Sequence, residues 1–272
     1  MSEHSRGGIS GTSRGELVEV LAGGRRVVSP NDVAATLQID GTAAAKKLSR
    51  WSEQGWLRRA RRGLYVPVPV DATDPRSWSE DPWLLADAVW APCYFTGWTA
   101  ANHWSLTDQM FRTTVLKTSG RVRSTKNRLL DHDYVVGHIA AEHLTWGHSP
   151  VWRAERRLMV ADPARVVVDS LDDPSLIGGI RHAAEVVSVY LAEHAPATLI
   201  DYGERLGNRT VFKRLGYIAE RANLNNKDLI AECAARVSSG ISMLDPTGPE
   251  TGSRNSAWQL RINVTIATAD SS

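Results

Sequence analysis

Positive charge is concentrated in two short stretches near the amino terminus. A helical spacing over residues 42–50 places small and basic side chains on one face: Thr42, Ala43, Lys46, Lys47 and Arg50. The stretch RRARRGL then sets four arginines around one turn: Arg58, Arg59, Arg61 and Arg62. A small and basic helix face suits the DNA major groove, and a basic turn can neutralise backbone phosphates. The chemistry predicted for these residues is the binding of double-stranded DNA.

An alternative explanation of the same charge is a solvated basic hairpin on an interaction domain that never meets DNA. Folding alone gains nothing from so much like charge on one turn. Helix pair, basic face and basic hairpin also follow one another in the order of a winged helix-turn-helix. This co-occurrence favours DNA binding.

The histidines and carboxylates of the sequence indicate no metal site and no catalytic site. The spacing of the clustered histidines matches no familiar metal-ligand motif: His132, His138, His143 and His148. Asp131-His132-Asp133 is interpreted as a polar loop, and Asp169 and Glu220 fall on predicted helices, where they can equally form structural ion pairs. The sequence has no glycine-rich phosphate loop, no Gly-x-Ser-x-Gly elbow and no acidic cluster followed by a nuclease-type Glu-x-Lys strand. We therefore expect no enzyme, no metal and no cofactor.

Local signals predict the elements that position the basic residues. Ser29 can cap a helix with Pro30 at its first position, and this helix ends near residue 38. The turn Ile39-Asp40-Gly41 leads to a second helix over 42–54, whose apolar residues share the opposite face: Ala44, Leu48 and Trp51. A hairpin follows, with Trp56-Leu57 beginning one strand and Leu64-Tyr65-Val66 forming the other.

Domain boundaries follow from composition. Residues 1–12 are predicted to be a disordered tail, and Ser13 to cap a first helix over 14–22. The winged helix-turn-helix domain spans 13–70, and a proline-rich and polar linker covers 71–80. A larger α/β domain spans 81–266, followed by a tail at 267–272.

The second domain mixes helix and strand patterns. Helices are predicted over 82–90, 98–104, 162–171, 180–191, 197–206, 210–224 and 227–237. Four or five strands are predicted, over 93–95, 112–118, 134–140, 157–160 and 258–264, with a loop at 238–254. The fold class is thus α+β: an N-terminal winged helix-turn-helix followed by a larger mixed α/β domain.

One further basic segment lies in the loop 119–128, with Arg121, Arg123, Lys126 and Arg128. Surface solvation is the default interpretation of such a run, and contact with nucleic acid or an acidic partner is the alternative.

Composition limits the class of protein. The net charge is only +2, yet residues 1–70 hold 11 Lys and Arg against 6 Asp and Glu. Two cysteines distant in sequence predict neither a disulfide framework nor a cysteine-based zinc site. No long apolar run or signal peptide is present, so we expect a cytoplasmic protein without membrane contact. Most of the ten tryptophans are expected in the core rather than as ligand platforms.

Five stretches in order resemble the AbiEi family of antitoxins from bacterial type IV toxin–antitoxin systems. They cover nearly everything from residue 13 to 264: RRGLYVP, YFTGWTAANHWSLTDQ, VADPARVVVDSLDDPSLIGG, NRTVFKRLGYIAE, and LDPTG with WQLRINV. The resemblance implies a winged domain that binds inverted repeats in operator DNA and represses its own operon. It also implies a second domain that neutralises a nucleotidyltransferase-like toxin without forming a stable complex with it. On this resemblance, the residues at 42–50 would face the groove, and Arg61 and Arg62 would reach phosphates or the minor groove.

Two other functions compete with this interpretation. One is a transcription regulator whose second domain senses a small molecule. The other is an enzyme, such as a nuclease, that the winged domain brings to DNA.

Overall fold

The computed structural model describes residues 8–222 and 226–266. Its first elements, in chain order, are α1 (Gly11–Val20), α2 (Pro30–Leu37), α3 (Gly41–Glu53), β1 (Leu57–Arg61), β2 (Leu64–Pro67) and α4 (Pro82–Trp90). Next come β3 (Cys93–Phe95), α5 (Gly97–His103), β4 (Thr114–Thr118), β5 (Lys126–Leu129), β6 (His132–His138), β7 (His148–Arg153) and β8 (Arg156–Ala161). The last are α6 (Pro163–Asp172), α7 (Ile180–Glu193), α8 (Ala197–Leu206), α9 (Thr210–Arg221), α10 (Lys227–Ala234), β9 (Ser242–Met243), β10 (Ser253–Asn255) and β11 (Leu260–Ile262).

The chain divides into two compact units. The first unit comprises Met1–Ala91 together with Asn127–Asp133, and the second comprises Pro92–Lys126 and Tyr134–Ser272. Helix α4, which the sequence analysis assigned to the second domain, therefore belongs to the first unit. The predicted linker is also tied into this unit, because Arg26 donates to Glu80 at 3.0 Å. Prolines and small polar residues at 71–80 thus did not mark the boundary of a compact unit.

A shared apolar core holds the first three helices and the hairpin together. Its buried members come from α1, from Val28 before α2, from α2 and α3, and from the hairpin of β1 and β2, which is called the wing below. They are Leu17, Val20, Val28, Val33, Ala44, Leu48, Trp51, Leu57 and Tyr65. The predicted buried face of α3 is confirmed, and the indole nitrogen of Trp51 donates to the Ser13 hydroxyl at 2.8 Å. An isolated antiparallel bridge between Val28 and Tyr65 joins the segment before α2 to the hairpin.

The amino-terminal helix starts earlier than predicted. Ser10 caps it by accepting from the Ser13 amide at 3.3 Å, so α1 begins at Gly11 rather than at residue 14. The predicted disordered tail at 1–12 is therefore wrong for residues 11 and 12. Residues 1–7, residues 223 and 224 of the predicted helix 210–224 and the predicted tail at 267–272 lie outside the described residues.

Within the described residues the strands form three sheets. The wing pairs β1 with β2, a small sheet has the order β10-β11-β9, and a mixed six-stranded sheet has the order β5-β6-β4-β3-β8-β7. In the six-stranded sheet β3 lies antiparallel to β4 and parallel to β8, and β7 closes one edge antiparallel to β8.

Two helices form the centre of the second unit. Residues 164–171 of α6 and residues 211–219 of α9 are buried along their entire length. Helix α6 packs against α5, α7, α8 and α9, and so places its polar residues away from water.

The predicted number of four or five strands was too low. Strands β5 and β7 were missed because one is polar and the other contains Pro150, which weakens a strand pattern. Strand β9 lies inside the predicted loop 238–254 and is two residues long, and the three-residue strand β10 begins inside this loop and ends one residue beyond it. The predicted strand 258–264 shortens to Leu260–Ile262. The fold class itself is confirmed: helices and a hairpin come first, and a larger mixed α/β portion follows.

Candidate nucleic-acid interface

Helix α3 is fixed at its start by a side-chain cap. The Asp40 carboxylate accepts from the amides of Thr42 at 2.8 Å and Ala43 at 2.9 Å. The bond from the Ala43 amide, followed by that from the Thr42 amide, holds the pKa of Asp40 below its ordinary value. Before it, Gln38 ends α2 in the left-handed conformation, with φ of 53°, and so makes the sharp turn between the two helices.

The exposed face of α3 carries three of the predicted DNA-contacting residues. Thr42, Lys46 and Arg50 are exposed and lie four residues apart, so they form one line along the helix. Ala45 and Ser49 are exposed beside them, although the sequence analysis did not select them. Their spacing of three and seven residues from Thr42 is the signal that could have identified them.

Ala43 and Lys47 lie on the flank of this face. Both are half-buried, and the Lys47 ammonium group lies 2.6 Å from the Glu16 carboxylate on α1. The structure thus does not place them in line with Thr42, Lys46 and Arg50. Lys47 is positioned to join two helices of the module.

The wing presents its basic residues around a tight turn. Arg61 pairs with Leu64 across the hairpin, and Gly63 takes φ of +73°, a conformation that favours glycine. The register shifts between Arg59 and Arg61, which marks a bulge just before the turn. Arg59, Arg61 and Arg62 are all exposed.

Arg58 differs from the other wing arginines. Its guanidinium group donates to the Trp78 carbonyl at 2.5 Å, to the Ser77 carbonyl at 3.5 Å and to the Asp131 carboxylate at 2.8 Å. The bond from Arg58 is the main reason that the pKa of Asp131 falls below its ordinary value. The hydrogen bonds of Arg58 therefore lie within the first unit, whereas the sequence had predicted that this residue contacts DNA.

The clustered histidines do not converge. His132 and His138 lie at opposite ends of β6, His143 lies in a short 3-10 helix, and His148 begins β7. Over residues 8–222 and 226–266, no group of three or more His, Cys, Asp or Glu side chains could hold a metal ion. Asp133 instead lies 3.6 Å from Arg128, the last cation of the basic loop.

A buried polar cluster occupies the centre of the second unit. Asp169 on α6 is completely buried and accepts from Thr96 at 2.7 Å and Tyr94 at 2.9 Å. Lys117 and Arg165 each donate to its other oxygen at 3.1 Å. Burial opposes the charge of Asp169, but the two cations and the hydroxyl donors together lower its pKa to about 2.

Aromatic rings surround the cationic side of this cluster. The Arg165 guanidinium lies 3.7 Å from the centre of the Trp146 ring, and the Tyr94 ring lies 4.2 Å from that of His148. Burial, together with the charge of Arg165, lowers the pKa of His148 to about 4, so this imidazole is neutral at physiological pH. The expected ion pairing of Asp169 is confirmed. Glu220 instead accepts from the indole nitrogen of Trp258 at 2.7 Å.

Arg214 organises the carboxyl-terminal part of the second unit. It is buried and donates to four backbone carbonyls, those of Leu171, Asp172, Met243 and Leu244. One side chain thereby joins the end of α6 to the short strand β9. Sequence reasoning had not selected this residue.

None of the helices within residues 8–222 and 226–266 combines the length and the apolar character that crossing a bilayer requires.

Comparison with known proteins found a family model that matches the amino-terminal part of the chain and a solved structure with a similar fold. No curated protein matches the chain. Its fold resembles the crystal structure of the RV2827C protein from Mycobacterium tuberculosis, with a TM-score of 0.55 and 16% sequence identity over 95% of this chain and 94% of that one. At this identity the likeness shows the fold alone.

Residues 16–68 match the model of a family described as "Transcriptional regulator, AbiEi antitoxin". This match spans the second half of α1, the helix pair and the wing, and it supports membership of the chain in the AbiEi family of antitoxin transcriptional regulators.

Proposed function

We propose that this protein binds operator DNA through its winged module and represses its own operon. The observation that supports this function best is the exposed line of Thr42, Lys46 and Arg50 on α3, in the same module as the exposed turn of Arg61 and Arg62. Helix α3 enters the major groove, where Lys46 and Arg50 meet guanine edges or phosphates. The wing arginines meet neighbouring phosphates or the minor groove. Inverted repeats in the operator present two such half-sites.

A gel shift tests the DNA-binding step. The probe is the DNA immediately upstream of the gene, titrated with the full chain at several salt concentrations. We expect a tight, salt-sensitive shift for the wild type and its loss in Lys46→Ala/Arg50→Ala. Arg221→Gln, an exposed arginine of the second unit, is the matched charge control and should bind as the wild type. Equal binding by the Lys46→Ala/Arg50→Ala variant would show that α3 does not bind the operator.

We propose further that the protein, acting in the cytoplasm, neutralises a nucleotidyltransferase-like toxin encoded beside it, and that its second unit carries this activity. The family resemblance and the match at residues 16–68 support this role. Co-expression of the neighbouring gene tests it through cell growth. We expect rescue by the wild type and also by Lys46→Ala/Arg50→Ala, because that variant keeps the second unit intact. Failure of the wild type to restore growth would refute toxin neutralisation and leave operator binding untouched.

One observation favours a second candidate, a regulator whose second unit senses a ligand. A cavity of about 610 Å³ opens between α9 and the strand β10, and its lining includes Tyr217, Arg221, Arg254 and Asn255. Arg221 and Arg254 outnumber the one carboxylate of the lining, that of Glu220, so the charge of the cavity suits an anionic metabolite. Thermal denaturation in the presence of phosphate-bearing metabolites tests this function. Stabilisation of the wild type that Arg254→Gln abolishes would support it, and the absence of any stabilisation would argue against it.

A further inference from the structure

An exposed tryptophan stands on an ordered strand of the second unit. All ten tryptophans lie within the described ranges, and Trp152 is the only exposed one, with 67% of its surface accessible. It occupies β7, which pairs regularly with β8 over six residue positions. Tryptophan is largely buried on average in folded proteins, so its exposure on a regular strand suggests a contact outside the fold.

An arginine lies directly beside this indole. Trp152 is paired with Arg157 across the antiparallel ladder. Directly opposed residues project from the same face, with Cβ atoms about 4.5–5.5 Å apart. Arg157 is exposed, and among the described residues no carboxylate pairs with it. A flat aromatic surface and an available guanidinium group are therefore neighbours.

The backbone of β7 is poorly suited to receive another strand. This strand lies at the edge of the six-stranded sheet, where unpaired amides could pair with a peptide. Pro150, exposed on the same face as Trp152, removes one of these amides in the middle of the strand. The side chains, rather than the backbone, are thus the groups available for recognition.

We propose that Trp152 and Arg157 form a platform for single-stranded nucleic acid. An unpaired base stacks on the indole, and the adjacent phosphate binds the guanidinium group. The net positive charge of residues 152–157, which contain three arginines and one glutamate, favours a negatively charged nucleic acid at this site. Double-stranded DNA cannot stack on Trp152, since its bases are already stacked within the duplex. This activity is distinct from operator binding through α3.

Fluorescence anisotropy with labelled ten-nucleotide oligomers of U and of dT tests the platform. We expect Trp152→Ala to weaken binding about tenfold or more, in line with measured stacking contributions. Trp152→Phe keeps an aromatic face and should restore much of the affinity. Arg157→Gln should lower the slope of log K against log salt by about 0.7, as for one phosphate on a single strand. Met110→Ala and Arg112→Gln remove exposed side chains elsewhere in the second unit and serve as matched controls.

Parallel titrations with operator duplex separate this proposal from the proposed function. Trp152→Ala should retain duplex binding, and Lys46→Ala/Arg50→Ala should retain single-strand binding. A preference for U or for dT that Trp152→Ala abolishes supports the platform. Wild-type affinity of Trp152→Ala for both oligomers would overturn the proposal. So would equal losses on duplex and single strand, or no binding of either oligomer at low salt.

Discussion

The ammonium nitrogen of Lys47 lies 2.6 Å from a carboxylate oxygen of Glu16, and this ion pair links α3 to α1. Both side chains are about one third exposed, with 32% and 27% of their surfaces accessible. A pair in this setting contributes about 1 kcal/mol or less to stability. Its larger consequence is for DNA binding, because it separates Lys47 from the exposed line formed by Lys46 and Arg50.

We therefore expect Lys47→Ala to weaken operator binding much less than Lys46→Ala. Loss of Lys46 should cost about 1–3 kcal/mol if it contacts a base, or lower the salt slope by about one unit if it contacts a phosphate. Anisotropy titrations of both variants at several salt concentrations measure the difference. Glu16→Gln, which removes the ion pair and keeps Lys47, is the control. Equal losses for the two lysine variants would show that Lys47 leaves Glu16 when DNA binds.

Arg61→Ala/Arg62→Ala should weaken binding to all DNA sequences by a similar factor. The two side chains are exposed at the turn, where we expect them to meet backbone phosphates of a duplex bound by α3. Each lost phosphate contact should lower the salt slope by about 0.9, so the double variant should lower it by nearly two units. Titrations of operator and scrambled duplexes measure this effect. A loss confined to the operator would instead assign the arginines to base recognition.

Arg58→Ala should reduce stability more than it reduces the salt slope of DNA binding. Arg58 donates to the Trp78 carbonyl and the Asp131 carboxylate, so its removal leaves both acceptors without this partner. Bonds from a charged donor are worth about 1.5–3 kcal/mol when buried, and the partial exposure of Arg58 lowers this to about 1 kcal/mol. Urea unfolding and salt titrations on the same sample give the two quantities. An unchanged unfolding midpoint with a salt slope reduced as in Arg61→Ala would place Arg58 on DNA.

Local signals in the sequence were sufficient to predict the winged module. Ser29 and Asp32 form the capping box expected at the start of a helix, and the spacing of Leu48 and Trp51 defines a buried face. Each of these signals lies within one or two helical turns, so neighbouring residues determine it. The hairpin was predicted for the same reason, since the Arg62-Gly63 turn is local.

Pairings between distant residues were not predictable in this way. Lys47 and Glu16 are 31 residues apart, and Arg58 and Asp131 are 73 apart. Packing decides whether a given cation pairs with a carboxylate of the same chain or stays available for a phosphate. No rule based on residue spacing contains that information. Strand β7 was missed similarly, because its edge position tolerates Pro150.

Replacement of Asp169 should severely destabilise the protein. Asp169→Asn leaves Lys117 and Arg165 buried without their shared carboxylate, a change that costs about 3–5 kcal/mol. Urea unfolding at pH 7 measures the loss. Lys117→Met combined with Asp169→Asn removes both charges and should be less destabilising than the sum of the two single variants. Additive effects would show that the two side chains do not interact.

The lowered pKa of Asp169 predicts that the stability of the protein falls at acid pH. The folded pKa of Asp169, about 2, lies below the ordinary value of 3.8, so its stabilising contribution is complete above the ordinary value. This contribution should decline as the pH falls from 3.8 to about 2. Unfolding curves across this interval measure the decline, and Asp169→Asn should show a smaller pH dependence there. An identical pH dependence in the variant would assign the acid sensitivity to other carboxylates.

Gly216→Ala tests the packing of α9 against the carboxyl-terminal segment. A Cβ atom at this position would lie 2.0 and 2.1 Å from two carbons of the Trp258 ring. The ring cannot easily retreat, because it is 3% exposed and its nitrogen donates to Glu220 at 2.7 Å. Helix propensity favours alanine over glycine by about 1 kcal/mol, whereas overpacking a core costs about 1–3 kcal/mol or more. A clash this short should make the packing cost larger, so we expect net destabilisation in urea unfolding.

Gly15→Ala on the exposed side of α1 is the matched control, since a Cβ there meets nothing within 4 Å and should stabilise the protein. Stabilisation by both substitutions would mean that Trp258 does not pack on α9 as the structure describes.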